Sequence, residues 1–533
     1  MKQRNKFLFA FLLCFLCGCS IRISDGNSSS GNISTGSIPS VPIEDSSLPS
    51  STMEDDIWTK EYDYQLQCAE NYEERYTYTN FHLFAGEKEI PIFNCKTNFS
   101  NTWNGEAPQR MNNAVATFQL EGTVKLDLIA NFKLNGKCKI SPLKEEVPFR
   151  LEESKVEFII SQPGQYTIEL SNSRTLHLFV NGWKQYEDLR NAPNVMYFGP
   201  GVHHAQNDNR IGSDHCIYLS SNTTVFLDEG AIIEGGFRAN SASNITIGGY
   251  GIVSGATFER SVSAGKVFVP FDFYQCQSLH IYGISTLDPA GWCYNLYFSR
   301  DIEIDNIKII SSRSNGDGIS VQSCQDVEVR SCFVRAWDDA LVVKNYPLWS
   351  NRNIEGTTRN IRFQDCIIWT DLAQSMEIGF ETVGEIMEEI TFEDITVIHN
   401  FHKAVISIHN GNNANITKVT FRNITVEDAS MGKGDGKNVL IELTCEFSST
   451  WSTQHKVTSL GSIDGVTIEN VNVLSANQPA ISIRGSVDQR DGYQNSTHYV
   501  SNVTLSNIVI EGQKVDASYA HYEETYAKNI IFQ

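Results

Sequence analysis

The chain has 533 residues, of which 41% are hydrophobic and 20% are charged, and this balance excludes both an intrinsically disordered and a fibrous protein. Its 63 acidic residues outnumber the 42 basic ones, and the formal net charge of -21 makes nucleic acid an unfavourable partner because the average field repels it. No apolar run reaches the ~18 residues of a membrane-spanning helix, and the length allows roughly two to four domains.

The first 19 residues have the pattern of an export signal. Three basic residues among the first six precede a short apolar run from Phe7 to Leu16. The residues that follow Leu16, Cys-Gly-Cys19, resemble a bacterial lipobox, which implies that Cys19 becomes the lipidated first residue of the mature protein. We therefore expect a protein on the extracellular face of a bacterial cell envelope, with a lipid anchor as its membrane contact. The alternative is an ordinary signal peptide and a secreted protein.

Residues 20–56 are mostly Ser, Gly, Asn, Pro and acids, and they predict a flexible linker because they cannot bury enough apolar surface to fold. From 57 to 185, short runs alternate apolar and polar positions between Gly, Asn and Pro turns. Examples begin at Val124, Val156, Tyr166 and Leu176. This pattern indicates a small β-sandwich domain with a packing or accessory role.

Residues 186–533 repeat one phrase, apolar-x-apolar-x-x-apolar-x-apolar. It starts at Ile245, Ile302, Val327, Ile361, Ile390, Val419, Val466 and Val503, and the starts between 302 and 419 lie 25 to 34 residues apart. Such periods are typical of stacked solenoid coils. Asn or Asp often stands at the turn within the phrase, where its side chain can bond its own backbone. The pattern predicts a parallel β-helix whose coils pair at a spacing of ~4.8 Å.

Thirteen cysteines are present, and ten of them follow the export signal. Their spacing shows neither CxxC nor Cys/His ligand patterns, so we expect no zinc site. Cys324, Cys332 and Cys366 stand in strand-like runs, and we expect them to be buried small side chains and not disulfide bridges.

Three carboxylates stand about one coil apart. Asp317 lies in Asn315-Gly-Asp-Gly, and Asp338 and Asp339 follow it by 21 and 22 residues. One coil of separation places residues on neighbouring rungs, so the three acids should cluster on one face. Because consecutive strand residues point to opposite faces, Asp338 and Asp339 can both reach a cleft only at a strand end or a bulge.

Clustered acids suit one kind of chemistry in particular. Mutual repulsion raises the pKa of at least one carboxyl, which leaves a proton donor beside carboxylates that can activate water. Glycoside hydrolysis needs this pair of functions. Two alternatives remain at this point, namely a solvated turn beside an unrelated acidic pair, and a calcium site.

The Asn315-Gly-Asp-Gly turn with the Asp338-Asp339 pair one coil later resembles the signature of the pectinase clan of β-helical glycoside hydrolases. Within that clan it is similar to family 28, the polygalacturonases, and to family 49, the dextranases and isopullulanases. The resemblance covers about residues 190 to 510. It implies a right-handed parallel β-helix and an inverting reaction in which Asp338 is the general acid while Asp317 and Asp339 activate water.

Two departures from the family 28 pattern bear on the substrate. Gln374 stands where polygalacturonases carry the His of a Gly-His-Gly, and Ser407 and His409 stand where they carry the Arg-x-Lys that holds a galacturonate carboxylate. Without that cationic fork, a uronate has no evident bidentate partner. We therefore expect a pectin-type or neutral α-glucan substrate, with a neutral or mixed polymer favoured over smooth galacturonan.

Five further residues are candidates for substrate binding, namely Trp337, Lys344, Gln374, Glu377 and His409. Trp337 adjoins the acid pair and could stack on a sugar, although a core position is its alternative. Lys344 could equally be a surface residue, and His409 a satisfied structural one.

The sequence thus predicts a monomeric glycoside hydrolase that acts on a polysaccharide without a cofactor or a metal ion. One rival is a calcium-dependent polysaccharide lyase with an Arg base, which we rank lower because no Arg stands at coil spacing from the three Asp residues. The other rival is a β-helix that binds glycans on the cell surface without catalysis.

Overall fold

The computed structural model describes residues 54–98, 110–170, 174–261, 267–346, 356–430, 438–449, 452, 459–490, 492–493 and 496–533. The predicted export signal with Cys19, and all but the end of the predicted linker at 20–56, lie outside the described residues. No helix in these ranges has the length and apolar character needed to cross a membrane.

The N-terminal part is a sandwich of two mostly antiparallel sheets. One contains β1, β4, β5, β7, β10 and β11, and the other contains β2, β3, β6, β8 and β9. Alternate residues of facing strands, such as Leu126, Leu128 and Phe158, form its core. In chain order the elements are α1 (Glu54–Thr59), β1 (Tyr64–Cys68), β2 (Phe81–Ala85), β3 (Lys88–Ile90), β4 (Phe93–Asn98), β5 (Arg110–Gly122), β6 (Val124–Ala130), β7 (Cys138–Ser141), β8 (Phe149–Leu151), β9 (Lys155–Ile160), β10 (Gly164–Leu170) and β11 (Arg174–Gly182), with 3-10 turns at Glu74–Tyr76 and Leu143–Glu145.

Most of the remaining strands form a right-handed parallel β-helix, as predicted. They are β12 (Val195–Phe198), β13 (Gly201–His203), β14 (Cys216–Tyr218), β15 (Thr223–Leu227), β16 (Ala231–Ile233), β17 (Gly236–Asn240), β18 (Ser243–Gly249), β19 (Ile252–Ser254), β20 (Phe271–Tyr274), β21 (Gln277–Tyr282), β22 (Ser285–Leu287), β23 (Tyr294–Tyr297), β24 (Arg300–Asp305), β25 (Lys308–Ile310), β26 (Ile319–Gln322), β27 (Gln325–Arg330), β28 (Phe333–Ala336), β29 (Leu341–Asn345), β30 (Gly356–Gln364), β31 (Ile367–Thr370), β32 (Met376–Thr382), β33 (Gly384–Glu393), β34 (Thr396–Asn400), β35 (Ile406–Asn410), β36 (Asn415–Val426), β37 (Val439–Cys445), β38 (Ser462–Val473), β39 (Ala480–Arg484), β40 (Ser486–Asp488), β41 (Ser496–His498), β42 (Val500–Ile510), β43 (Gln513–Lys514), β44 (Tyr522–Thr525) and β45 (Ala527–Phe532).

Most of the repeated phrases form two strands joined at a sharp corner, as in β24 and β25, and both strands belong to one large sheet. The last three phrases each lie within one longer strand, namely β36, β38 and β42. The residue at the corner has a left-handed backbone, with φ of 52° at Asn306, 56° at Asp394 and 56° at Asn423. Asn and Asp tolerate this conformation better than other residues with side chains. A third strand per coil, such as β26, belongs to a separate 11-stranded sheet from β14 to β44. We call its outward surface the cleft face.

An apolar interface joins the sandwich to the large sheet of the β-helix. Phe179 of β11 lies with its ring 5.2 Å from that of Phe333 in β28, and Leu287 and Ile310 belong to the same buried cluster. All ten described cysteines are free, and Cys324, Cys332 and Cys366 are fully buried, in agreement with the expectation of small core side chains.

Candidate active site

The turns that carry Asp317 and Asp339 lie directly on one another at the edge of the cleft face. Ile319 pairs with Leu341, and each of the two acids stands two residues before its member of that pair. The Gly318 N–H donates to the Asp339 carbonyl at 2.8 Å. A Cβ on Gly318 would lie 2.4 Å from the carbonyl oxygen of Ala340, so that only glycine permits this close approach.

Asp338 and Asp339 both belong to the turn between β28 and β29, which satisfies the requirement for a strand end. The Asp339 N–H donates to Oδ1 of Asp338 at 3.1 Å. Asp338 is half-buried, whereas Asp317 and Asp339 are only 2% and 9% exposed. Asp338 is therefore the carboxyl of the three that is most open to solvent.

Lys344 connects the acids by a single ammonium group. It lies in β29 between Val343, which points into the core, and Asn345, so its side chain extends over the cleft face. Its Nζ is 3.7 Å from Oδ2 of Asp317, 3.8 Å from Oδ2 of Asp339 and 3.4 Å from Oε2 of Glu381. These carboxylates together raise the pKa of Lys344 well above its usual value against the opposing effect of burial, so the amine stays charged.

The electrostatic balance of the cluster favours retention of a proton. Burial raises the pKa of Asp317 well above its usual range, and the neighbouring charge of Asp338 raises it further. Burial likewise raises the pKa of Asp338, and it raises the pKa of Asp339 to about 8, while Lys344 opposes each of these shifts. Three carboxyls and one ammonium group therefore provide a proton donor and ionised carboxylates at the same pH.

Glu377 and His409 extend the cluster on the next two coils. The His409 Nδ1 lies 2.8 Å from Oε1 of Glu377, and its Nε2 lies 3.2 Å from Oε2 of Glu442. Although burial opposes the shift, Glu377 and then Glu442 raise the pKa of His409 to about 10, so the ring is an imidazolium that donates from both nitrogens. Ser407 donates its hydroxyl to Glu377. The charge of Glu377 in turn contributes to the raised pKa of Asp339.

Arg260 reaches the acid cluster from a loop that precedes β20. Its Nε donates to the carbonyl of Ser314 at 3.0 Å, and its Nη2 donates to Oδ1 of Asn315 at 2.7 Å. Burial lowers the pKa of Arg260, and the nearby carboxylates of Asp317 and Asp338 oppose that shift. Arg260 does not stand at coil spacing from the three Asp residues, because a loop brings it to the cluster.

One protein family model matches this chain. The family model described as Glycosyl hydrolases family 28 matches residues 263–525, a segment that contains Asp317, Asp338 and Asp339. The chain is a glycoside hydrolase. No curated protein sequence matches it.

A solved structure shows the same fold as the hydrolase. Dex49A from Penicillium minioluteum is similar with a TM-score of 0.56 at 12% identity, over 86% of this chain and 94% of that one. A hyperthermoactive exopolygalacturonase from Thermotoga maritima aligns with a TM-score of 0.42 at 15% identity, over 63% of this chain and 83% of that one.

The other predicted binding residues take different positions in the hydrolase. Trp337 is only 5% exposed, which matches the core alternative better than an open stacking platform. Gln374 contacts the acids through its backbone, since its N–H donates to Oδ1 of Asp339 at 3.4 Å and its carbonyl accepts from the Ala340 N–H at 2.9 Å. Lys344, Glu377 and His409 do lie with the acids on the cleft face.

Sequence reasoning missed Glu381, Glu442 and Arg260. Glu442 carried a signal, because strand alternation puts it opposite the core residues Ile441 and Leu443 and therefore on the cleft face. Arg260 carried no such signal, since its position depends on the path of a loop.

The central ammonium group gives a prediction for the pH dependence of hydrolysis. Because the charge of Lys344 lowers the pKa of all three Asp residues, Lys344→Met should raise those pKa values. The base must be ionised, so we expect the acidic limb of the kcat/KM profile to move to higher pH by about one unit or more. Lys418→Met is the matched control, because Lys418 pairs with Glu388 at a distant surface. An acidic limb that stays in place, or moves to lower pH, would contradict this role.

Proposed function

We propose that this glycoside hydrolase cleaves a polysaccharide by an inverting acid/base mechanism. The observation that carries the proposal is that Asp317 and Asp339, on two stacked coils, both contact the Lys344 ammonium group, with Asp338 directly beside Asp339. Such a cluster supplies a protonated carboxyl and an ionised one in the same place, as the reaction requires.

The roles follow from the environment of each carboxyl. Asp338 is the most exposed of the three, which suits a general acid that must reach the glycosidic oxygen. Asp317 and Asp339 both contact the ammonium group of Lys344, which favours their ionised forms. We assign to them the activation of the attacking water.

The proposed step balances its protons and electrons. Asp338 donates its proton to the glycosidic oxygen as the bond from that oxygen to the anomeric carbon breaks. Water attacks the same carbon from the opposite face of the sugar, and its proton passes to Asp317 or Asp339. No covalent sugar–protein intermediate forms, so the configuration of the anomeric carbon inverts.

The substrate that we propose is a neutral or mixed polysaccharide, and pectin-type and dextran-type polymers are both candidates. The cations of Lys344 and His409 are already paired with carboxylates, Lys344 with three of them and His409 with Glu377 and Glu442. A galacturonate carboxylate would therefore find both of these cations already neutralised by carboxylates of the protein.

The assignment of the general acid predicts the result of one substitution. Asp338→Asn removes the donated proton while it preserves size, so we expect kcat to fall about 10²- to 10⁴-fold. Activity is measured as released reducing ends from dextran, pullulan, homogalacturonan and rhamnogalacturonan. Asp326→Asn is the control, because Asp326 lies exposed at a coil corner where its Oδ1 accepts from Asn360 at 2.7 Å.

Three outcomes of that experiment would contradict the proposal. Equal activity of Asp338→Asn and the wild type would remove Asp338 from the reaction. Binding of a polysaccharide without any released reducing ends would favour the glycan-binding alternative. Release of an unsaturated, ultraviolet-absorbing product that is lost on addition of a chelator would favour the calcium-dependent lyase.

We further propose that the hydrolase works at the extracellular face of the envelope, held there by a lipid on Cys19. The support is the export pattern of the first 19 residues. Cys19→Ala should move the expressed protein from the membrane fraction to the soluble or secreted fraction, while the neighbouring Cys17→Ala should leave it membrane-bound. Retention of Cys19→Ala in the membrane fraction would exclude this anchor.

A further inference from the structure

The turn that carries Asp317 is held by contacts from outside its own coil. The turn spans residues 311–318, between β25 and β26, and its Ser312 and Arg313 side chains are buried. Because hydrogen bonds between coils join mainly the strands, the position of a turn depends on additional contacts. Arg260 binds Ser314 and Asn315 of the turn, and the other contacts converge on one carboxylate, that of Asp288.

Asp288 follows β22, one coil before the turn, and its side chain is only 4% exposed. It accepts from Arg313 twice, with Nε at 3.2 Å from Oδ1 and Nη2 at 3.3 Å from Oδ2. Arg313 also donates to the carbonyls of Gly255 and Phe258. The turn is thereby attached to the coil beneath it through a buried, charge-assisted pair.

The sandwich domain supplies a second arginine to the same carboxylate. Arg110, the first residue of β5, donates from Nη2 to Oδ1 of Asp288. Its Nε donates to the hydroxyl of Ser312, inside the turn, at 3.0 Å. One guanidinium group thus binds both the anchor of the turn and the turn itself, and it belongs to a different domain.

We propose that Arg110 is a positioning residue, and that the sandwich domain acts through it to hold Asp317 in the geometry for hydrolysis. The inference rests on the proposed function of Asp317. Displacement of a reacting group by about 1 Å can cost about 10²-fold in rate, so a contact outside the cleft can control the chemical step.

The structure provides a substitution that removes this contact and leaves the anchor paired. In Arg110→Met, Asp288 keeps its two bonds from Arg313, so no buried carboxylate loses all its partners. Arg110→Lys keeps a positive charge near Asp288 but has one amino group in place of the forked guanidinium group, so it should restore only part of the effect.

The matched control is Arg75→Met. Arg75 also joins the sandwich to the β-helix through an ion pair, with Nη2 2.9 Å from Oε1 of Glu234, but it does so away from the turn. Both variants remove one ion pair between the domains, so a general weakening of the interface should affect them alike.

The experiment compares steady-state kinetics and amide hydrogen exchange of the full-length variants. For Arg110→Met we expect kcat to fall about 10- to 100-fold with KM changed less than about 3-fold, and faster exchange confined to residues 311–318. Arg110→Lys should recover part of kcat, and Arg75→Met should match the wild type in both measurements.

Two results would overturn the proposal. One is equal behaviour of Arg110→Met and Arg75→Met in both kcat and exchange. The other is a lower kcat in Arg110→Met without faster exchange in residues 311–318. If the wild type hydrolyses no polysaccharide, the proposed function has failed by itself, and the exchange comparison still decides whether Arg110 holds the turn.

Discussion

Hydrogen bonds along the axis of the β-helix are the constraint on which the active site depends. The bond from the Gly318 N–H to the Asp339 carbonyl, at 2.8 Å, stacks one turn on the next and brings Asp317 over Asp339. Residues one coil apart are thereby held at a spacing of about 4.8 Å, too close for several carboxylates to ionise independently. The same ladder that stabilises the fold therefore creates the chemistry of the cleft.

Burial removes the carboxyl groups of the cluster from water, which costs free energy. Neighbouring positive charges offset part of that cost. Lys344 places one positive charge between Asp317, Asp339 and Glu381, and the imidazolium of His409 does the same between Glu377 and Glu442. Local conflict of this kind is common at functional sites, where reactivity is maintained at the expense of stability. The cations compensate the acids, so they are less available to bind an anionic sugar.

The repeated parts of the molecule could be predicted from the sequence because each coil has the same pattern of apolar and polar residues. The phrase of alternating apolar residues became paired strands, and the polar residue within it became a left-handed corner, as at Asn306 and Asn423. The clustering of the acids was likewise predictable, since Asp317 and the Asp338-Asp339 pair stand about one coil apart in the sequence. The position of the Trp337 side chain was not predictable, because an aromatic residue beside a cleft can point into the cleft or into the core. In the structure it is buried.

Contacts that bridge distant parts of the chain were beyond prediction. Arg260 arrives on a loop and Arg110 arrives from another domain, and neither position follows from hydrophobic periodicity. Their targets, the backbone and side chains of residues 312–315, also lie in a turn whose path no repeat determines. Sequence patterns thus located the carboxylates, whereas the residues that hold them in place required the folded structure.

The account is tested most directly by the anomeric configuration of the first sugar released. Proton NMR during early hydrolysis, before mutarotation, distinguishes the two anomers. If Asp338 protonates the leaving oxygen while Asp317 and Asp339 activate water, the product must have the configuration opposite to that of the cleaved bond. A product that retains the configuration would require a carboxylate nucleophile and a covalent intermediate, and it would contradict the account.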